Sequence, residues 1–174
     1  MSIIKRIKFF VFNTTNLTDM SRMFYRCNSL KELVLSNFNT NNVTDISEIF
    51  YSCCGLEKLN LYYFNINNVI DMKEMFAGCS SLKKLNLSNF SNFDINNVIE
   101  MPGMLSNCSS LKELDLSNFN TNNVNFMDCL FNDCKMLENL NISNFNIDNA
   151  TKKNHIFIGC LSLEELILSN FIIV

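Results

Sequence analysis

A repeat of about 26 residues constrains this chain more than any other feature of its sequence. Six cysteines mark the repeat, at intervals of 26, 26, 29, 26 and 26 residues. The longer interval contains a duplicated tripeptide, since the SNF of Ser88–Phe90 is followed directly by a second SNF at Ser91–Phe93. A repeat of this length predicts a solenoid, because one unit alone cannot bury its apolar residues without neighbours stacked against it.

Each unit carries a run of the form Leu-x-x-Leu-x-Leu, which begins at Leu30, Leu56, Leu82, Leu111, Leu137 and Leu163. A phenylalanine ends each run, at Phe38, Phe64, Phe90 (or Phe93), Phe119, Phe145 and Phe171. In the first run, we expect Leu30, Leu33 and Leu35 to point inward from a strand of about three residues. Stacked units would then pair these strands in parallel.

The N-terminal segment fits the same pattern one period earlier, with apolar residues at Ile4, Ile7, Phe9 and Phe12. It is predicted to be a degenerate strand unit and not a secretion signal, because a signal needs an apolar core of roughly 7–15 residues. The run Phe9–Phe12 has only four. We therefore predict one domain over residues 1–174. It comprises a strand unit at 4–12, then six units of about 26 residues with an insertion near 91–93.

Composition excludes several classes of function. Hydrophobic residues make up 48% of the chain, enough to fill a continuous core. No uninterrupted apolar stretch approaches the roughly 18 residues of a membrane-spanning helix. The net charge of −3 gives no attraction for nucleic acid or an acidic membrane surface. We expect no nucleic-acid partner and no membrane insertion.

An apolar stripe lies between successive leucine runs. Ile46, Ile49, Phe50 and Cys53 are spaced i, i+3, i+4 and i+7, which predicts a short amphipathic helix. Asp45 precedes this stripe and is followed three residues later by Glu48, an arrangement that resembles a capping box. We expect these helices to cover the back of the sheet.

The repeating cysteines lie on this stripe, at Cys27, Cys53, Cys79, Cys108, Cys134 and Cys160. They are interpreted as a ladder of reduced, buried thiols, since free cysteine behaves as a small apolar residue. Disulfides between neighbouring units are the alternative. A metal site is not expected, because the sequence has no Cys-x-x-Cys pair.

A column of asparagines also recurs, at Asn16, Asn42, Asn68, Asn97, Asn123 and Asn149. One interpretation is a buried column whose side chains bond the backbone of the turns, since buried amides need partners. The alternative is a set of surface turn residues in an asparagine-rich chain.

The combined pattern LxxLxLSNFxTNNVTDMxxMFxxCxSL resembles the repeat of the BspA-like leucine-rich-repeat proteins. It is carried by Leu30–Cys53, Leu56–Cys79 and Leu111–Cys134, and more loosely by the other units. The resemblance implies an α/β right-handed solenoid, with a parallel sheet on one face and short helices on the other. It also implies secretion or cell-surface display and adhesion to host proteins or other cells, although the sequence shows no signal peptide.

Residues suited to catalysis are scarce. His155 is the only histidine, so no serine or cysteine nucleophile can be paired with a second one. The carboxylates recur at repeat positions, as capping and solvated residues do, and no glycine-rich phosphate loop is present. We therefore expect a non-enzymatic protein without a cofactor.

The outward side of the strands is the candidate surface for a protein ligand, because solenoids bind along extended faces. Its charge changes from basic to acidic along the chain. Tyr62 is a candidate anchor, since aromatic residues are enriched in binding hot spots. The candidate residues are Lys8, Phe10, Lys31, Val34, Lys58, Asn60, Tyr62, Lys84, Asn86, Glu113, Asp115, Asn141 and Glu165.

Three alternatives remain open for this surface. The outward charges could simply solvate a sheet, or the face could serve an intracellular scaffold. The chain could also be an internal structural segment of a longer repeat protein. In that case its apolar ends would associate end to end.

Overall fold

The computed structural model describes residues 5–8, 14–35, 38–62, 64–87 and 95–168. Six three-residue strands follow one another through the repeat, and all strand pairs are parallel. The strands are β1 (Arg6–Lys8), β2 (Glu32–Val34), β3 (Lys58–Asn60), β4 (Glu113–Asp115), β5 (Asn139–Asn141) and β6 (Glu165–Ile167). The predicted stack of parallel strands is thus confirmed, and the chain is a leucine-rich-repeat solenoid.

The strands form two sheets, in the orders β1-β2-β3 and β4-β5-β6. Between them, residues 82–87 bury their three leucines without forming a strand. This is the unit that precedes the duplicated tripeptide. The sheet predicted as one surface is therefore interrupted at the unit with three extra residues.

A second set of parallel contacts runs without this interruption. Isolated bridges join each unit to the next, from Asp19 with Asp45 through to Phe126 with Lys152. One of them, Asp71 with Glu100, spans the longer unit. The units on the two sides of the insertion therefore still stack in register through these bridges.

The segments after these bridges are turns, and the prediction of short helices is wrong for the residues that the structure describes. The backbone amides of these segments donate alternately to carbonyls of the next unit and to carbonyls of their own unit. The amide of Glu48 donates to the carbonyl of Lys73 in the next unit (2.8 Å), and that of Ser52 donates to Ala77 (2.7 Å). Between them, the amide of Tyr51 donates back to the carbonyl of Glu48 (3.0 Å).

Turns replace the predicted helices because a two-turn helix would leave its first amides and last carbonyls without hydrogen-bond partners. Bonds between units satisfy the alternate amides directly. Each turn segment accommodates this with two left-handed residues four positions apart, such as Glu48 (φ 54°) and Ser52 (φ 54°). Nor is Asp45 a helix cap, since its Oδ1 accepts from the amide of Ser47 (2.8 Å) in an Asx turn.

The apolar stripe is nevertheless buried as the spacing predicts. Ile46, Ile49, Phe50 and Cys53 are all fully buried. The ring of Phe50 stacks on Phe24 in the preceding unit, with centroids 5.8 Å apart. One apolar cluster runs from Met20 to Ile156. Within the described residues, no helix is long and apolar enough to cross a membrane.

The six ladder cysteines stack from unit to unit, and all eight cysteines are free thiols. Four of the six are buried, whereas Cys27 and Cys160 at the two ends are half-buried. From the second unit onward, each thiol donates to a backbone carbonyl of the preceding unit, as Cys53 does to Phe24 (3.0 Å). Burial raises the pKa of Cys53 to about 12, so this thiol stays protonated.

The asparagine column lies at the surface. All six side chains are exposed, so the interpretation of a buried column is wrong. From Asn42 to Asn149, each side-chain amide donates to a turn carbonyl of the preceding unit, at 2.6–2.8 Å. These bonds connect the units along an edge that water can reach.

Candidate binding face

The candidate surface is defined by the alternation of inward and outward side chains along each strand. Leu114 and Leu140, at the centres of β4 and β5, point into the core and are buried. Their neighbours point the other way, because successive residues of a strand face opposite sides. We call the outward surface of the six strands the strand face.

A groove of about 450 Å³ lies on the C-terminal half of the strand face, and we call it the strand groove. Its lining includes Leu85, Leu87, Leu114 and Leu140, whose side chains are buried. Its rim is polar and comprises Lys84, Asn86, Glu113, Asp115, Asn139, Asn141 and Glu165, with Ile167 at one end. Six candidate residues are therefore brought together here: Lys84, Asn86, Glu113, Asp115, Asn141 and Glu165.

Asn139 and Ile167 were missing from the candidate set. The repeat alignment does place both on the outward side of their units, because Asn139 aligns with Glu113 and Glu165. Ile167 aligns with Asn141 in the same way, and it is 43% exposed. An exposed isoleucine gives the groove an apolar end.

The other candidates lie elsewhere on the face. Lys31, Val34, Lys58, Asn60 and Tyr62 belong to the N-terminal half and do not line the strand groove. Tyr62 is 49% exposed, as an anchor residue must be before binding. Lys8 lies in β1, and Phe10 lies outside the described residues.

Several outward charges pair across neighbouring units. Lys112 bonds Glu138 at 2.8 Å, and this contact raises the pKa of the lysine. Lys31 pairs with Glu57 in the same way. The predicted charge gradient includes the charges of these paired residues. Each pair joins one positive and one negative charge, so it adds no net charge to the face.

The charged residues of the strand groove differ from these pairs in having no recorded ion-pair partner among the described residues. Within the described chain, no ion pair is recorded for Lys84, Glu113 or Glu165. With Asp115, the rim carries three carboxylates and one ammonium group, a net charge of −2 (1 − 3) when all are ionised. The groove therefore attracts positively charged groups.

Three candidates also have a structural role. The Oδ1 atoms of Asn60, Asp115 and Asn141 accept from the amides two residues later, at 2.9, 2.8 and 3.1 Å. These Asx turns end the strands. Each Oδ1 thus uses one of its two lone pairs within the chain, and a ligand can contact the remaining lone pair and the second polar atom of the side chain.

His155, the residue considered for catalysis, is exposed in the last turn segment. Across the described ranges, no three histidine, cysteine or acidic side chains are grouped so that they could hold a metal ion.

A family model described as "Mycoplasma protein of unknown function, DUF285" matches residues 5–92 and again residues 83–171. Among solved structures, a leucine-rich repeat protein of T. pallidum is 22% identical with a TM-score of 0.47, over 84% of this chain and 71% of that one. A leucine-rich repeat protein from Bacteroides ovatus ATCC 8483 is 19% identical with a TM-score of 0.35, over 94% and 57%. No curated protein matches the chain.

Proposed function

The chain belongs to the DUF285 family of Mycoplasma proteins of unknown function, and from its own geometry we propose that it is a non-enzymatic module that binds a protein ligand through its strand face. The strand groove is the observation that carries this proposal. It combines the exposed apolar side chain of Ile167 with a polar rim, and ligand sites commonly combine apolar and polar groups. It also lies where a solenoid presents one residue from each unit to a single extended surface.

The charge of the groove defines the kind of ligand. Glu113, Asp115 and Glu165 favour a ligand segment that carries lysine or arginine. Ile167, which is exposed, favours an apolar side chain next to that basic residue. A short extended segment with alternating basic and apolar residues satisfies both requirements.

Selection of random dodecapeptides on phage, with the intact chain as bait, tests this proposal. We expect basic and apolar residues to be enriched together. The double variant Glu113→Gln/Glu165→Gln should bind the selected peptides at least about ten-fold more weakly, the equivalent of roughly 1.4 kcal/mol.

Glu57→Gln is the matched control, since Glu57 lies on the same face but outside the groove. Circular dichroism should show that all variants remain folded. Selected peptides that bind the double variant as tightly as the unaltered chain would place the ligand elsewhere.

Adhesion at a cell surface is the finer form of the proposal, and the resemblance to BspA-like repeats supports it. Protease treatment of intact source cells, followed by mass spectrometry, tests it. Release of these repeats from unbroken cells is the expected result. Release only after lysis would support the intracellular scaffold in its place.

A structural role is the second candidate function, and the last unit supports it. Leu161 is 82% exposed and Ile158 is 52% exposed. Phe157, Leu163 and Leu166 beside them are only half-buried. Further repeat units stacked here, from the same chain or another copy, would bury this apolar surface.

A further inference from the structure

A second groove, of about 460 Å³, lies on the turn segments of the central units. We call it the turn groove. The residues that define its chemistry are Tyr51, Glu74, Gly78, Gly103, Ser106 and Asp128. No residue of the predicted ligand face lines it.

Gly103 opens this groove. The equivalent residues of the other units are Arg22, Glu48, Glu74, Cys129 and His155, and all of them are left-handed, with φ between 50° and 61°. Gly103 has a φ of 60°, so the backbone alone does not demand glycine at this position. A Cβ atom on Gly103 would lie 3.2 Å from Cγ of Glu74. The missing side chain therefore makes room for Glu74.

An aromatic stack ends at the groove. The rings of Tyr25 and Tyr51 are nearly parallel (7°), with centroids 5.0 Å apart. The next two units carry Ala77 and Ser106 at this repeat position, and both line the groove together with Tyr51. The turn groove thus occupies the place where the stack would otherwise continue.

Two carboxylates face this space. In the parts of the chain that the structure describes, no hydrogen bond or ion pair is recorded for the half-buried carboxylate of Glu74. Oδ1 of Asp128 accepts from the amide of Asn154 at 3.0 Å. No lysine or arginine lines the groove, so its field is negative.

Elsewhere in the same chain, a carboxylate and an aromatic ring together bind an arginine side chain. Nε and Nη2 of Arg22 donate to the two carboxylate oxygens of Glu48, at 3.0 and 2.8 Å. The guanidinium carbon lies 5.8 Å from the centroid of the Tyr25 ring. A planar guanidinium satisfies a carboxylate at two points and also stacks on an aromatic ring, which an ammonium group cannot do.

One unit further along, Glu74 and Tyr51 repeat the carboxylate and the ring, but Glu48 occupies the position equivalent to Arg22. The chain therefore supplies no arginine to this pair from that position. We propose that the turn groove binds the side chain of an arginine supplied by a protein partner. The guanidinium pairs with Glu74 and rests against the Tyr51 ring, and Asp128 adds attraction from the far side. This site is separate from the strand groove and does not depend on its function.

The test is titration of the intact, isotope-labelled chain with N-acetyl-L-arginine amide, followed by NMR. A single side chain binds weakly, so saturation is expected on the order of millimolar. Resonances of Glu74, Gly103 and Asp128 should move together. N-acetyl-L-citrulline amide, which has nearly the same shape but no charge, should bind about ten-fold more weakly or not at all.

Two variants address the site directly. Glu74→Gln keeps the shape of the side chain and should weaken arginine binding about ten-fold. Ala77→Tyr places a third ring in the position that Tyr25 and Tyr51 occupy in their own units, and it should block binding. Glu113→Gln in the strand groove should leave the arginine-dependent shifts of Glu74, Gly103 and Asp128 unchanged.

Equal binding of the arginine and citrulline compounds would overturn the proposal. So would arginine-dependent shifts of the turn-groove resonances that survive both variants, or the absence of saturable shifts at those resonances. Binding of N-acetylglucosamine at these resonances, without binding of arginine, would identify the groove as a sugar site and overturn it as well. If Ala77→Tyr does not fold, the comparison with Glu74→Gln still decides.

Discussion

Arg22 and Glu48 connect neighbouring units through a two-point ion pair, and both residues have a left-handed backbone conformation. Their φ angles are 58° and 54°. Glu48 is only 8% exposed, so the pair satisfies a carboxylate that is largely removed from water. Removing Arg22 would leave the Glu48 carboxylate without its charge complement, which costs more than the loss of an ordinary surface contact. The Arg22 side chain is itself 66% exposed, so water would solvate it if Glu48 were removed.

The stability of the fold should fall as Glu48 becomes protonated. The hydrogen bonds from Arg22 lower the pKa of Glu48. Because this folded-state pKa lies below the unfolded value of about 4.3, the contribution is complete above that pH and is lost as the pH falls through the folded-state pKa. We expect Glu48→Gln to cost about 1 kcal/mol at pH 7, and much less near pH 3. Urea denaturation at pH 7, 5 and 3 measures this.

Glu57→Gln is the control, because Glu57 also pairs with a cation, Lys31, but the pair is exposed. Solvent and salt screen such pairs, so no measurable change in stability is expected. A loss for Glu48→Gln that is as large at pH 3 as at pH 7 would show that the ionised carboxylate does not account for the contribution of Glu48.

The cysteines should differ sharply in reactivity. Burial raises the pKa of Cys53 and that of Cys134 to about 12, and the thiolate is the reactive form. Cys54, next in sequence to Cys53, is exposed. At pH 8, iodoacetamide should modify Cys54 in the native protein, and the buried ladder only after urea is added. Mass spectrometry of the peptides separates the two adjacent sites. Modification of Cys53 at the rate of Cys54 in the native protein would contradict the buried ladder.

The asparagine column should contribute to stability in proportion to the bonds removed. The side chain of Asn68 donates to the carbonyl of Asn41 at 2.6 Å, and that of Asn123 donates to Asn96 at 2.7 Å. Asn68→Ala should cost about 1 kcal/mol. The double variant with Asn123→Ala should cost about 2 kcal/mol, because the two sites share no partner. Denaturation in urea measures both.

Asn125→Ala serves as the control for that series. Asn125 is exposed, and its side chain has no hydrogen bond recorded within the described part of the chain. Its replacement should change stability by less than about 0.5 kcal/mol. Equal losses for Asn68 and Asn125 would mean that the column adds nothing beyond ordinary turn residues.

The sequence predicted which residues are buried better than it predicted the backbone. The i, i+3, i+4, i+7 spacing from Ile46 to Cys53 identified the inward side chains correctly, since all four are fully buried. It also suggested a helix, because that spacing is the signature of one. A chain of turns with left-handed residues every four positions places the same side chains inward. Only the bonds between units, which no single unit contains, distinguish the two.

The candidate site was predicted in part for a similar reason. Alternation along the strands located Glu113 and Glu165 on the outward surface, because that depends on local geometry alone. The strand groove also depends on the break at residues 82–87, whose effect on the neighbouring strands cannot be read from one unit. The turn groove had a signal in the alignment, since Gly103 is the one member of its column without a side chain.

The unbroken bridges between Asp19 and Lys152 have a consequence for how such a protein can vary. Each repeat unit has two parts. The segment with the isolated bridges keeps the spacing of the units, and the segment beside the strand can change in length. Residues can be inserted beside a strand, and the remaining units still stack in register. The strand face is then free to diversify, unit by unit, while the bridged segments of the units stay the same.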